Sequence, residues 1–375
     1  MEQSQSHTKL SVHIVAYITI NALFVSKYSA RVLPDYAWLL TAFVMAFHYL
    51  LLAIILPRIR ALKTYAPVII LGFMGICAML LLQYMIDPYG VQVDRWSALH
   101  NPIANLLAGE YPYLAPTHLD GYASPFPVWQ LFHVPFFLLG NVGLSFFFVL
   151  VLFFYSIYHL QGIRPLFVAL LLIFCSPAVW YEVAVRSDLI TNILLVATML
   201  NFVVQKISVQ WLQRYVVSVS IIVALLACTR VVSLLPIALL LFPYYMRLGW
   251  KKQVLFLLCL GISFVMTFLP FALWDPLNFF YFEHNPWSLQ TRQGNGADFI
   301  LFIPLGIYLS LQWNGNHVNY YRNTVLLLII FVATTFVHNM INSGNYDLFS
   351  SAYDITYFTT ALPFCVLGFI NSIQE

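Results

Sequence analysis

Twelve mostly apolar stretches run along the chain, near 10–28, 36–56, 65–86, 143–160, 166–181, 188–205, 215–230, 231–246, 253–273, 297–312, 323–340 and 351–370. A helix needs about 20 such residues to cross a bilayer. Only 8% of the residues are charged and 61% are hydrophobic, where a soluble domain carries roughly 25% charge. So little charge cannot cover a water-facing surface. The pattern predicts one integral membrane domain over 1–375, an all-α bundle of about 11–13 spans. Soluble, disordered and disulfide-scaffold folds are excluded. A net charge of +3 gives no case for a nucleic-acid partner.

Charge sorts by side. Arg58, Arg60, Lys63, Arg164, Lys206, Arg214, Arg247, Lys251, Lys252 and Arg322 fall in alternate connections, with Lys9. An excess of Lys and Arg marks cytoplasmic loops, so this side, with both termini, is expected to be cytoplasmic. The acids, from Asp35 to Asp354, fall on the other face. The first nine residues are polar and include Glu2, and no A-x-A site follows the first apolar run, so no cleavable signal peptide is expected. Cys77, Cys175, Cys228, Cys259 and Cys365 lie inside apolar runs without C-x-x-C spacing and read as packing residues.

The longest loop region, 87–142, is placed outside. Within it, residues 95–108 can form an amphipathic helix with Trp96, Leu99, Ile103, Leu106 and Leu107 on one face, suited to lying in the interface. Asp94 stands at its start, where a carboxylate can cap the helix. Residues 126–139 are apolar but short, follow Pro125 and contain Pro127 and Pro135. They read as a re-entrant half-helix, tolerable at membrane depth only when buried in protein or lining a wet cavity.

The order of Asp94, then Gly109-Glu110-Tyr111-Pro112-Tyr113, then Ser124-Pro125-Phe126-Pro127 ahead of a half-helix resembles the GT-C superfamily of membrane glycosyltransferases. It is most similar to the branch of polyprenyl-phosphate-mannose-dependent mannosyltransferases and arabinofuranosyltransferases. Trp180 to Asp188, with Arg186, resembles the Arg/Asn/Asp-bearing turn of those families, and Arg230 with Pro236 their Lys-then-Pro element. The resemblance implies transfer of a sugar, such as mannose, from a polyprenyl-phosphate donor to a hydroxyl of a glycan, glycolipid or protein acceptor. The reaction would run on the noncytoplasmic face of a bacterial plasma membrane and invert the anomeric centre.

In that reading Asp94 is the catalytic base. Arg186, Arg230 and Arg292 bind the donor phosphate, and Arg95, Tyr113, Pro125, Asp188 and His284 contact substrate. Each residue also has a plainer role. Asp94 can be an N-cap, Arg186 and Asp188 a local ion pair, Arg230 a snorkelling cation, and the aromatics around His284 an interfacial belt. No cofactor is expected. The histidines lack metal-ligand spacing, and a divalent ion among loop acids is open but not indicated. A transporter or permease shares the topology, as does a membrane glycan polymerase or acyltransferase.

Overall fold

The computed structural model of the protein describes residues 2–59, 64–291, 298–350 and 353–374, with side chains described outside 2–11, 291 and 298–299. The described chain is helical, and its only β pairing is an isolated bridge between Pro116 and Tyr122. In order the helices are α1 Glu2–Val32, α2 Pro34–Arg58, α3 Ala66–Met85, α4 Ser97–Ala108, α5 Pro127–Leu138, α6 Leu144–Gln161, α7 Ile163–Phe174, α8 Pro177–Ala184, α9 Asp188–Val204, α10 Val216–Ala227, α11 Val231–Tyr245 and α12 Trp250–Trp274. Two single turns follow, and then α13 Asp298–Leu311, α14 His317–Ser343 and α15 Ile355–Ser372.

Every stretch expected to span is helical over most of its length where described. Among the described residues six helices are long and apolar enough to cross a membrane: α2, α3, α6, α12, α14 and α15. The bent pair α7 and α8, which meet at 66°, makes a seventh if it is one span. The chain is thus an integral multi-pass membrane protein. Breaks at Ser176-Pro177 and around Thr229-Arg230 divide apolar runs into shorter helices. α1 is long, but it carries His13, Asn21 and Lys27, all buried against the protein.

The helices differ in what they face. The best apolar windows of α3 and α12 are each only 17% buried, whereas that of α15 is 83% buried. Phe73, Ile69, Ile262 and Val265 stand exposed on the outer helices. So much exposed apolar surface is stable only against lipid. α9 is enclosed almost throughout and shares one core with α1, α6, α7 and α15. A short helix can sit inside the bundle because its flanks never meet lipid.

Contacts define two ends. At one, Gln205 approaches His317 at 3.2 Å and Gln374 reaches the Gln161 carbonyl at 3.5 Å. At the other, the 87–142 region meets the start of α9, the end of α10 and the start of α15. Lys27, on the last turns of α1, donates there to the carbonyls of Ser350 and Tyr353.

Candidate active site

The short apolar stretch 126–139 is helical as α5, within a residue of its expected bounds. Its position follows from backbone chemistry. A helix start leaves amide donors unfilled, and a helix end leaves carbonyls unfilled. The amides of Phe126 and Val128 donate to the carbonyls of Thr229 and Cys228, each at 3.2 Å. The start of α5 therefore meets the end of α10, an arrangement both dipoles favour. Asn192 fastens the same break, donating to Thr229 Oγ1 at 2.9 Å and accepting from Ser233 at 2.6 Å.

This junction presents Trp129, whose indole N–H donates to Asp188 at 2.9 Å. Asp188 is also gripped by Arg230, through Nε at 2.7 Å and a terminal nitrogen at 2.6 Å. Both side chains are almost fully buried. Two plainer expectations are corrected here. Arg230 does not snorkel, because its fixed counter-ion lies inside the protein. Arg186 and Asp188 are not partners: Arg186 turns away and donates to the carbonyls of Gln83 at 2.6 Å and Ile86 at 3.1 Å. Its backbone sits at φ 51° between α8 and α9, a left-handed conformation that costs a non-glycine residue energy and clusters at functional sites. Its Nε is buried with no hydrogen-bond partner.

Asp94 is not the cap of α4 either. The helix begins at Ser97 with Trp96 as the cap position and no side-chain cap bond. The Asp94 carbonyl takes the Ala98 amide at 2.8 Å, leaving the carboxylate to accept from Thr117 Oγ1 at 3.0 Å. Thr117 opens a tight turn that Gly121 closes: Thr117 N donates to Gly121 O at 2.8 Å, and Gly121 N to Thr117 Oγ1 at 3.0 Å. A Cβ on Gly121 would lie 2.8 Å from Asp94 Oδ2, so glycine leaves room for that oxygen. Ser97 and His118, 2.7 Å apart, tie the turn to α4.

The expected apolar face of α4 is real but packs differently. Trp96, Leu99 and Ile103 pack with Trp129 of α5 and Val142, while Leu107 is exposed. The helix leans on the half-helix as much as on any interface.

Arg95, next to the candidate base, points into the protein. It pairs with Asp354 and donates to Thr356 Oγ1 at 2.7 Å. Burial works against its charge, yet Glu182, Tyr357, Asp188 and Asp94 together raise its pKa above the ordinary value. Asp354 also caps the turn leading into α15, accepting from the Thr356 amide at 3.0 Å. Glu182, on α8, is fully buried, and neither carboxyl oxygen accepts a hydrogen bond in good geometry. Ser176 and Pro177 set its place. The Ser176 side chain caps α8 and donates to Asn21 at 2.6 Å, and Pro177 occupies the first turn, where its missing N–H costs nothing.

Tyr113 is buried, with its hydroxyl 3.4 Å from the Pro125 carbonyl, which also accepts from Gln130 at 3.2 Å. His284 stacks on Tyr122 with centroids 5.2 Å apart. Arg292 lies outside the described residues. The structure thus joins Asp188 with Arg230 and Tyr113 with Pro125, and sets Arg95 beside Asp94 facing inward. Reasoning from sequence put Glu182 and Asp354 on this face without assigning their partners, and missed Thr117 and Trp129. Glu182 carried a readable signal, a carboxylate inside an apolar helix. Among the described residues no cluster of His, Cys, Asp and Glu could hold a metal ion. No family model, curated protein or solved structure matches the chain.

Proposed function

We propose that the protein is a membrane glycosyltransferase of GT-C type that moves a sugar from a polyprenyl-phosphate donor to an acceptor hydroxyl. The observation that carries the reading is the state of Asp94. Its carboxylate is spared from helix capping, only half-buried, and held by one hydroxyl in a turn built around Gly121. A general base needs that combination of access and fixed direction.

In the proposed step the Asp94 carboxylate takes the proton of the acceptor hydroxyl. The acceptor oxygen bonds to the anomeric carbon as the carbon–oxygen bond to the lipid phosphate breaks, and polyprenyl phosphate leaves with the bonding pair. Attack opposite the leaving group inverts the centre. Positive charge steadies the departing phosphate most in a water-poor site. Arg186, with a free buried Nε, is better suited to this than Arg230, whose charge is balanced by Asp188. Arg95, Tyr113, Pro125, Asp188 and His284 build the walls. The exposed Leu131 and Leu138 of α5, with Leu139 just beyond its end, offer an apolar flank to the donor's tail. The sugar is proposed to be a hexose such as mannose, and the site to face away from the cytoplasm.

The donor class is tested directly. Purified protein in one lipid mixture is offered either a polyprenyl-phosphate sugar or the matching nucleotide sugar, with a glycan acceptor. Transfer is expected from the lipid donor alone. Efficient transfer from the nucleotide sugar without a lipid intermediate would overturn the donor assignment.

A further inference from the structure

At the end of the bundle away from Asp94, a groove of about 790 Å³ opens between the last turns of α9, the whole of α10 and the middle of α11. That volume is in the range of ligand sites, roughly 300–1,000 Å³. Its walls are nearly all apolar, among them Met199, Val219, Val223 and Leu241. Its polar groups gather at one end. α9 stops at Val204, and a single turn, Val209–Arg214, capped by Ser208, leads into α10. That connection places Lys206 and Arg214 on the rim, both exposed, with Trp211 and Tyr215 beside them. The Arg214 guanidinium lies 5.4 Å from the Tyr215 ring centroid. No Asp or Glu lines the groove, and among the described residues neither cation forms an ion pair with a carboxylate.

The groove's depth is informative. Its lining follows α10 from Tyr215 to Leu226, which at 1.5 Å per residue is about 16 Å. Half of a ~30 Å hydrocarbon core is about 15 Å. An apolar slot one leaflet deep, with aromatics and two unbalanced cations at its mouth, matches a lipid whose acidic head sits at that surface.

From this we infer that the groove is a binding site for an anionic phospholipid of the leaflet at the Lys206 end. One acyl chain lies along α10 and the phosphate lies between Lys206 and Arg214. The head belongs at the opposite end of the bundle from Asp94, so this lipid is distinct from the proposed sugar donor, and the inference does not depend on that reading. The site would also brace α9 and α10, which carry Asp188 and the Arg230 junction at their far ends.

The test uses the full-length protein, reconstituted in equal phosphatidylglycerol and phosphatidylcholine, extracted in mild detergent and weighed by native mass spectrometry. One phosphatidylglycerol is expected to remain in preference to phosphatidylcholine. Lys206→Gln with Arg214→Gln should lower its occupancy at least tenfold, since each cation near a membrane surface contributes about 1 kcal/mol. Ser218→Trp, which fills the slot and leaves both cations in place, should lower it as well. Equal retention of the two lipids, or unchanged retention in both variants, would overturn the site. So would displacement by tailless glycerol 3-phosphate at equal concentration, because the head alone would then account for binding.

Discussion

At the scale of single residues, this end of the molecule is a set of pairings across long stretches of chain. Asp188 reaches Arg230 over 42 positions, and Arg95 reaches Asp354 over 259. Sequence alone flagged Asp188, Arg230 and Arg95 as charges beside apolar runs, since such charges seek partners. It could not assign those partners, because pairing is decided by which helix ends meet. The local guess of Arg186 with Asp188 failed for that reason: the left-handed backbone at Arg186 directs its side chain to α3 instead. A direct consequence concerns Arg230. Removing one member of a buried pair strands the other charge and costs about 3–5 kcal/mol, whereas replacing both with apolar residues is often neutral. Arg230→Met and Asp188→Leu should each lower thermal stability by about that much, and the double variant should recover most of it. If Arg230→Met abolished transfer while leaving stability unchanged, Arg230 would belong to the phosphate site and not to the scaffold.

At the scale of elements, the two short helices α4 and α5 were both legible. Pro125 and Pro127 mark the start of α5, and the spacing of Trp96, Leu99 and Ile103 marks the buried face of α4. The turn from Thr117 to Gly121 was not, since nothing in its composition reveals that it closes over Asp94. That turn gives the sharpest handle on the site. In Gly121→Ala the new methyl would meet the Asp94 carboxylate and press on Thr117 Oγ1. The surface turn itself can relax, so the stability change should stay within about 1 kcal/mol. Transfer should fall about a hundredfold, because a displacement near 1 Å can cost that much. Wild-type turnover in Gly121→Ala would show that the position of Asp94 is immaterial.

At the scale of the whole molecule, hydropathy identified the class of protein. Apolar composition reports what a segment can bury, not whether it faces lipid. α9 is as apolar as a span, yet it is buried inside the bundle. The charge pattern carries further. The basic connection with Lys206 and Arg214 and its apolar groove lie at one end, while Asp94, Arg95, Asp188, Arg230 and Asp354 share the other. By the positive-inside rule we propose that the Asp94 end faces outside. With the five free cysteines replaced, a membrane-impermeant thiol reagent should label Glu110→Cys in intact cells and Gln213→Cys only after permeabilisation. Both positions are exposed. The reverse pattern would invert the topology and remove the argument for a lipid-linked donor.

The central claim is that Asp94 acts as a base. Asn caps helices about as well as Asp and is nearly isosteric, but it cannot take a proton from an acceptor hydroxyl. The most direct measurement is single-turnover transfer from a polyprenyl-phosphate sugar by purified Asp94→Asn, alongside its melting temperature. The account predicts transfer reduced by about a thousandfold, within the 10²–10⁴ range of general-base catalysis, with melting unchanged. Turnover close to wild type would contradict it and leave Asp94 as part of the loop's architecture.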